Sequence, residues 1–393
     1  MNTMNSLHRG GLLSLVLLLG SLAPLCAQPA DERLQVIGTG GARLIPISLG
    51  GFNGVAYEVL RFDLEVAGCK IVSSNAATHH VSGSNDSVLR GTLTATGSPT
   101  PLLTRAYSGP MRALAHAFAD EIIEKLTGRR GIAQTRIAFK ANFGRHKEVF
   151  ISDYDGANAV QVTRDTQIIA TPAWSPDHRQ LFYTSYMSGF PFIYSHTLAT
   201  GARAAVSRQA GYNGSPAVSP DGRHLAMTLS YKGTLEVYVA DTNGGNLRQV
   251  TFTKAGAASP CWSPDSQWIC YTSNEAGPAR LYKVRSSGGA SQQLATVGAD
   301  TTTEPDWSPD GKTIVFTSQN RGFKIFTVPA SGGDAEFVCE GEFPSWAANS
   351  RTVVFARRRT DQSYRLQLVD VPTRQVKDIP LKLGDVSEPA WAR

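Results

Sequence analysis

The chain has few cysteines and no long apolar run. The first shortage argues against a zinc-binding protein, and the second argues against a protein that spans a membrane as a helix. Only five of its 393 residues are cysteine, and their spacing matches no zinc site. An apolar core near the N-terminus, residues 12–19, is too short to cross a bilayer as a helix. Charged residues make up 18% of the chain, and no tract of low complexity or of like charge stands out. This composition is typical of a folded soluble protein.

Several signatures of catalysis are also missing. The chain has no G-x-S-x-G sequence, which is the nucleophile elbow of many serine hydrolases. Its histidines are scattered without the spacing of metal ligands, and no pair of carboxylates recurs at a fixed offset. No basic stripe alternates with aromatic residues, so nucleic acid is not an expected partner. We therefore expect no catalytic residues, no cofactor and no metal.

The N-terminus is typical of a secretory signal peptide. Arg9 precedes the short apolar core, and cleavage after Ala27 would remove residues 1–27. Cys26 raises the alternative of a lipoprotein signal, but Leu25 stands where such a signal needs a small residue. The sequence thus predicts an exported protein with four remaining cysteines.

One short motif recurs along the rest of the chain. The copy at residues 305–310 is Pro-Asp-Trp-Ser-Pro-Asp, and the starting prolines are 44, 44, 45, 39 and 45 residues apart. These prolines are Pro172, Pro216, Pro260, Pro305, Pro344 and Pro389. A period near 40–45 residues is typical of propeller blades or of long helical repeats. Because a catalytic residue has no reason to recur in every repeat, we interpret the motif as structural.

The interior of each repeat favours a propeller blade. After the motif come short β-branched and aromatic runs, such as residues 313–317 and 325–328, followed by a Gly-rich turn and a fourth run. Ser-Pro-Asp-Gly has the composition of a turn, because Pro presets φ, Asp bonds nearby backbone and Gly tolerates positive φ. The Trp of each motif is expected to pack between neighbouring blades.

The last copy of the motif supplies a strand that the first blade lacks. Residues 135–163 hold three strands without the Pro-x-Trp start, and residues 388–393 are such a start with no further strands. Pairing them closes a ring without an exposed sheet edge. We predict a mainly β fold, a six-bladed β-propeller over residues 131–393 closed by strand 388–393. A small α/β N-terminal domain over residues 28–130 precedes it.

Local patterns predict the elements of the N-terminal domain and one cysteine pair. Helices are expected at residues 55–66 and 112–126, and strands at residues 33–37, 43–47, 70–72 and 88–96. In the propeller, Cys261 and Cys270 fall on adjacent strands, on the face opposite Trp262, Ile269 and Tyr271. A cross-strand disulfide is one interpretation of this pair. Two packed thiols are the interpretation that we favour.

The junction between the two predicted domains resembles that of the TolB family. The matching residues are Asp120-Glu-Ile, Lys-Leu-Thr-Gly at 125–128, Arg130-Gly131 and Thr-Arg-Ile-Ala at 135–138. Asp63-Leu64 followed by Ala67-Gly68 also resembles the end of a family helix. The propeller repeats alone are shared by many secreted proteins, whereas the junction is much more specific.

This resemblance implies a periplasmic, non-enzymatic adaptor of the Tol–Pal envelope system. Such a protein supports outer-membrane integrity and cell division. Its propeller binds the peptidoglycan-associated lipoprotein (Pal) at the mouth of the central channel, and its mature N-terminus contacts TolA. Other envelope proteins are further partners that this role allows. We expect a monomer that reaches the outer membrane only through Pal.

The family's binding surface can be carried onto this sequence by position. It comprises the loops that enter each innermost strand, with these implied Pal-binding residues: Thr171, Tyr212, Asn213, Ser215, Ala258, Thr303, Glu304, Phe343 and Glu388. Tyr212 stands where well-known members carry His. The implied TolA-contacting segment contains Asp31, Arg33, Leu34 and Val36. For each implied Pal-binding residue, the alternative to a binding role is an ordinary connecting loop. For the implied TolA-contacting segment, the alternative is a strand at the edge of the domain.

Two other functional classes remain open from the sequence alone. One is a secreted propeller enzyme, a hydrolase or a lactonase-like protein, which would need a catalytic domain or a polar metal-binding channel. The other is a generic propeller scaffold or adhesin with an unrelated partner.

Overall fold

The structure is a computed structural model that describes residues 41–319 and 321–393. Three sequence predictions lie outside this part of the chain. They are the signal peptide at residues 1–27, the strand at residues 33–37 and the TolA-contacting residues Asp31, Arg33, Leu34 and Val36.

The first part of the described chain is a five-stranded sheet covered by two helices. Its helices are α1 (Gly54–Val66) and α2 (Met111–Thr127), and a 3₁₀ turn lies at Ser74–Ala76. Its strands, in sheet order β2-β1-β3-β4-β5, are β1 (Ile45–Gly50), β2 (Cys69–Ile71), β3 (His79–Asn85), β4 (Leu89–Ala95) and β5 (Leu103–Tyr107). β1 runs parallel to β2 and β3, and the remaining pairs are antiparallel.

Helix α2 follows the prediction closely, because its apolar spacing matches one helical face. Leu114, Phe118 and Ile122 are buried on that face against the sheet. Gly128 ends the helix at φ 68°, and its N–H donates to Glu124 O at 2.8 Å.

The sequence analysis missed two strands of this sheet, β3 and β5. Both are poor in buried apolar side chains: in β3 only Val81 is buried and in β5 only Leu103. Pairing with β4 along their whole length stabilises them. The strand predicted at residues 43–47 begins two residues later, at Ile45.

The remainder of the chain forms a six-bladed propeller. Its strands in chain order are β6 (Arg136–Asn142), β7 (Lys147–Asp153), β8 (Val160–Gln161), β9 (Ile169–Trp174), β10 (Gln180–Ser185), β11 (Phe192–Thr197), β12 (Arg203–Ser207), β13 (Asn213–Val218), β14 (His224–Leu229), β15 (Glu236–Asp241), β16 (Arg248–Gln249), β17 (Ala257–Trp262), β18 (Trp268–Ser273), β19 (Arg280–Arg285), β20 (Gln292–Gln293), β21 (Thr296–Val297), β22 (Thr301–Trp307), β23 (Thr313–Gln319), β24 (Phe323–Pro329), β25 (Gly333–Asp334), β26 (Glu336–Glu340), β27 (Glu342–Trp346), β28 (Thr352–Arg358), β29 (Tyr364–Asp370), β30 (Gln375–Asp378) and β31 (Val386–Trp391).

Each blade is a four-stranded antiparallel sheet. From the inner strand outward, blade one is β31-β6-β7-β8, blade two β9 to β12, blade three β13 to β16 and blade four β17 to β20. Blade five is β22-β23-β24-β26 and blade six is β27 to β30. The short strands β21 and β25 pair with each other, in parallel, beside blade five.

Blade one joins the C-terminal strand to the strand that follows the α/β region. Val386 pairs with Ala141, and Trp391 pairs with Ile137. The Trp391 indole N–H donates to Thr135 Oγ1 at 2.8 Å, directly before β6. The domain boundary at residue 130 stays a prediction.

The repeated motif acts as the sequence analysis predicts. In blade two, Ser175 Oγ donates to Asp177 Oδ1 at 2.6 Å and accepts from Gln180 N at 2.9 Å, which ties the turn to the second strand. Trp174 Nε1 donates to Ala390 O of blade one at 3.0 Å. Trp262 Nε1 likewise donates to Ala217 O of blade three at 2.8 Å, whereas Trp307 Nε1 donates to Gly311 O of its own blade at 3.1 Å. The tryptophans of blades two and four therefore link each of these blades to the preceding one.

The two cysteines of blade four are directly opposite each other on β17 and β18. Cys261 and Cys270 are both buried free thiols, and burial raises the pKa of Cys261 well above its usual value. Trp262 packs on the other face of the blade, as predicted. The favoured interpretation as packed thiols agrees with this structure.

A buried polar cluster joins the α/β region to the propeller. Asp63 of α1 accepts a hydrogen bond from the Tyr154 hydroxyl of the β7–β8 turn, and its other oxygen lies 2.8 Å from His116 Nδ1 of α2. Asp155, beside Tyr154, is paired with Arg112 of α2. Burial raises the pKa of Asp63 to about 6, although His116 and Tyr154 oppose this shift.

The residues that carry the family resemblance lie at this junction. Asp120 Oδ1 accepts a hydrogen bond from Ala133 N at 2.8 Å. A Cβ atom on Gly131 would lie 2.0 Å from the same oxygen, so only glycine allows the chain to pass the carboxylate. A Cβ atom on Gly68 would lie 2.7 Å from Arg351 and 2.8 Å from Asp370, which form an ion pair of blade six, and the φ of Gly68 is 87°.

We predict that the change Asp63→Ala destabilises the protein by about 3 kcal/mol, because it leaves buried Tyr154 and His116 groups without their acceptor. Glu58→Ala on the same helix removes only an exposed ion pair with Arg61 and should cost less than about 1 kcal/mol. Chemical denaturation of both variants measures the difference. Equal losses would contradict the importance of the buried cluster.

Candidate functional site

The central channel opens where the six inner strands begin. In each inner strand one residue directly before the motif proline has a positive φ, between 49° and 56°. These six residues, which we call the mouth ring, are Thr171, Ser215, Ser259, Glu304, Phe343 and Glu388. At each of them the pairing with the second strand shifts register, as in a β-bulge.

The mouth ring belongs to strands, whereas the sequence analysis expected loops. A left-handed backbone is uncommon for residues other than glycine, and for β-branched Thr171 it is a clear outlier. The ladder on both sides of each bulge, together with the following proline, holds the chain in this conformation. The bulges turn six side chains toward one opening, and such strained positions cluster at functional sites.

Two cavities follow each other along the channel. The mouth cavity has a volume of about 200 Å³ and is lined by the mouth ring and the six motif prolines. The deeper cavity, of about 300 Å³, shares these prolines and is also lined by Trp174, Trp262 and Trp391. In the deeper cavity Arg393 donates to both carboxylate oxygens of Asp306, at 2.9 and 2.7 Å. The ring of prolines therefore separates a polar mouth from an interior that contains an ion pair.

Five residues of the predicted Pal-binding set meet at the mouth. They are Thr171, Ser215, Glu304, Phe343 and Glu388. Ser259 completes the ring and was not in the predicted set. Ser259 directly precedes Pro260, as every residue of the ring precedes a motif proline, and this position in the repeat could have identified it as a mouth residue.

The other predicted residues lie around the ring. Ala258 and Thr303 line a neighbouring depression between blades four and five, which Glu304 also borders. Tyr212 is half-buried, and its N–H donates to Ser230 Oγ at 2.9 Å. Asn213 is fully buried, and its side chain bonds Ser207, Gln209 and Gly211 within the same connection. Asn213 therefore shapes the mouth from beneath the surface.

One half of the mouth presents hydroxyl groups. Thr171 Oγ1 lies 3.3 Å from Thr184 Oγ1 of the second strand. At the equivalent positions of blades three and four, Thr228 and Thr272 lie opposite Gly214 and Ala258. Their hydroxyl oxygen atoms are buried and have no hydrogen-bond partner among the described residues. Neither residue lines the mouth cavity, and Thr272 instead lines the depression between blades four and five.

The other half of the mouth is acidic. Glu304 Oε2 accepts hydrogen bonds from Thr317 Oγ1 at 2.7 Å and from Phe343 N at 3.0 Å. Burial raises the pKa of Glu304 to about 7, and the negative charges of Glu342 and Glu388 add to the shift. Glu388 is paired with Lys140 and accepts a hydrogen bond from Thr171 N at 2.6 Å. The mouth thus carries a carboxyl group that changes charge near neutral pH.

Two further features of the described residues bear on function. Among residues 41–319 and 321–393, no three His, Cys, Asp or Glu side chains lie close enough together to hold a metal ion. In the same part of the chain, neither helix combines the length and apolarity needed to cross a membrane.

Comparison with known proteins links the propeller to one family. A family profile described as "TolB beta propeller domain" matches residues 123–393, which is more than half of the chain. The "Tol-Pal system protein TolB" of Bordetella pertussis is 37% identical over 184 residues, which cover 46% of this chain and 41% of that protein. The protein of the same name from Dechloromonas aromatica is 33% identical over 247 residues, 54% of this chain and 57% of its own length. The matched regions therefore span about half the length of these curated relatives.

A solved structure resembles most of the chain. The crystal structure of TolB from Acinetobacter baumannii has a TM-score of 0.81 and 24% identity, and the match covers 90% of this chain and 98% of that one. At this identity the likeness shows the fold alone.

We predict that Glu304 makes stability fall as pH rises from about 4.5 to about 7. Its pKa is about 7 in the folded protein against an ordinary value of 4.5, so the folded state holds the proton more tightly than the unfolded chain. Over this range the wild type should lose roughly 3 kcal/mol relative to Glu304→Gln, which cannot ionise. Denaturation at several pH values measures this difference.

The change Glu336→Gln controls for the loss of one negative charge, because the Glu336 side chain is 74% exposed. If the Glu304→Gln variant and the wild type have parallel stability profiles between pH 4.5 and pH 7, the raised pKa of Glu304 is refuted.

Proposed function

Because this chain belongs to the TolB family, we propose that it is a component of the Tol–Pal envelope system. In this proposal it is a non-enzymatic, monomeric adaptor in the periplasm that binds Pal at the channel mouth. Through this contact it supports outer-membrane integrity and cell division. The observation that carries the proposal is the mouth ring, where six strained residues converge on one opening.

The position of the α/β region supports the mouth as the binding end. This region contacts turns at the opposite end of the blades. Arg129 Nη1 donates to Asn349 O at 2.9 Å, and Gln375 Nε2 donates to Glu65 O at 2.7 Å. Asn349 belongs to the turn after the inner strand of blade six, and Gln375 follows the turn between its third and fourth strands. The mouth therefore stays accessible to a partner.

The chemistry of the mouth suits a protein segment better than a small substrate. The Thr171, Ser215 and Ser259 hydroxyls and the Glu304 carboxyl belong to residues that line the mouth cavity, and each can bond a polar group of an inserted segment. Phe343 adds an apolar surface between Glu304 and Glu388 of the ring. Tyr212 and Asn213 then act by shaping the entrance, and Ala258 and Thr303 extend the contact toward blades four and five.

We test this function with the periplasmic domain of Pal from the same genome. Calorimetry should show tight one-to-one binding to the wild type. Ser259→Trp fills part of the mouth cavity, so we expect it to weaken binding by about tenfold or more.

Ser266→Trp is the matched control, because Ser266 also has a positive φ, 59°, and lies in the same blade at the opposite end. It should bind within about twofold of the wild type. A folded wild type that does not bind Pal would refute the proposed function. Equal binding by both variants would refute the mouth as its site.

The N-terminal contact is the second part of the proposal. We propose that the segment with Asp31, Arg33, Leu34 and Val36 binds TolA. Deletion of residues 31–39 should abolish binding of the periplasmic domain of TolA and leave the protein folded. Retention of TolA binding in a pull-down with the purified deletion variant would show that the contact lies elsewhere.

A further inference from the structure

The channel mouth lies within a wider surface that the blade topology defines. In every blade the connection between the second and third strands ends at the mouth, and so does the connection from the fourth strand to the next blade. We call the surface formed by these connections the mouth face. The α/β region contacts turns at the opposite end, and on this face α1 lines one cavity with the β30–β31 connection of blade six. The connections of blades one to three carry exposed residues and are open to solvent.

Exposed apolar side chains on the mouth face are concentrated in three consecutive blades. Phe252 is 75% exposed and Phe190 is 63% exposed, although both are large aromatic residues. The complete set in blades one to three and the connection to blade four is Phe143, Ile168, Met187, Phe190, Leu235 and Phe252. Scattered exposed apolar residues need no explanation, but six in neighbouring connections indicate an interaction surface.

The corresponding connections of blades four to six expose only Val297 among the described residues. Val297 belongs to β21, in the connection from the fourth strand of blade four to blade five, and β21 pairs there with β25. Exposed large apolar residues are therefore concentrated on one side of the mouth, six against one among the described residues.

Unpaired basic residues of the mouth face are also concentrated in blades one to three. The mouth-face connections of blades one to three contain five exposed basic side chains: Arg145, Arg164, Arg208, Lys232 and Lys254. None of these five forms an ion pair with another described residue. Asp165 is the single acidic residue of these connections, and Arg203 neutralises it. In blades four to six the same connections hold three basic and four acidic residues, so they are nearly balanced.

We propose that blades one to three form an apolar–basic docking arc for an acidic protein surface that carries apolar side chains. This arc consists of the six apolar and five basic residues named above. The inference rests on the proposed function, since the partner is then Pal, seated off-centre over one side of the mouth. The arc supplies most of the contact area, and the mouth ring receives a smaller inserted segment.

The positive charge of the arc favours an acidic protein surface as the partner that binds it. Five unpaired cations attract an acidic surface and accelerate its association. A second copy of this chain is disfavoured, because the chain has a net charge of +6 and two such arcs would repel each other. The exposed phenylalanines add apolar contacts that a purely electrostatic encounter lacks, and aromatic residues are enriched at interface centres.

The test compares two double variants of the arc with the wild type in binding to the periplasmic domain of Pal. Phe190→Ser with Phe252→Ser should lower affinity by about tenfold or more. Arg208→Glu with Lys254→Glu should slow association about tenfold at low salt and weaken its salt dependence, because steering by exposed charges is screened by ions.

Matched controls carry equal changes away from the mouth face. Val55→Ser with Val160→Ser removes two apolar side chains that are 54% and 61% exposed. Lys70→Glu with Arg90→Glu reverses two exposed charges of the α/β region. Both controls should bind Pal within about twofold of the wild type. Circular dichroism checks that all variants are folded.

The outcomes separate this inference from the proposed function. If the arc variants bind Pal as strongly as the wild type does, the docking arc is refuted, whereas the proposed function is not. No binding by the wild type would overturn both. Vesicles containing phosphatidylglycerol test a membrane as the occupant. If only vesicle binding depends on the arc, the arc is a membrane surface and the inference is wrong.

Discussion

The rest of the structure depends on the pairing of β31 with β6, which closes the ring. Without it, β31 and β6 would each present a free sheet edge, and blade one would lack its inner strand. The same pairing ties the α/β region to the propeller. β6 follows α2 by only a few residues, and Trp391 at the end of β31 bonds Thr135 just before β6. The β31–β6 pairing thus closes the channel and its mouth and also connects the propeller to the α/β region.

Closure produces a regular backbone on which side chains differ from blade to blade. All six inner strands carry the bulge and the positive φ before proline, so the mouth ring has one geometry. The side chains of the ring nevertheless differ. Thr171, Ser215 and Ser259 carry hydroxyl groups on one side, and Glu304 and Glu388 carry carboxyl groups on the other. The raised pKa of Glu304 arises from this arrangement, because burial and two neighbouring carboxylates act together on one group. A symmetric scaffold therefore presents an asymmetric surface.

The repeats in the sequence predict much of this architecture because their spacing records the blade period directly. Six copies of the repeated motif, five of them with Trp, predict six blades, and Trp174 and Trp262 bond neighbouring blades as expected. The junction residues also have a physical explanation, since Gly131 must pass the Asp120 carboxylate without a side chain. Strands β3 and β5 escaped prediction because pairing with β4, rather than their own apolar content, stabilises them.

Other parts of the site could not be predicted because they depend on distant residues. The burial of Asn213 results from a connection that folds back onto its own backbone, which no local pattern reveals. The grouping of Phe190, Phe252 and five unpaired cations on one side of the mouth appears only after the blades are placed around the ring. The central claim is that this face of the propeller binds Pal.

Hydrogen–deuterium exchange of the wild type, with and without the periplasmic domain of Pal, tests that claim most directly. We expect slower exchange in residues 143–147, 208–212 and 250–256 on the mouth face, and no change in the turns at residues 175–178 and 219–222 at the opposite end. Slower exchange confined to those opposite turns or to the α/β region would contradict it.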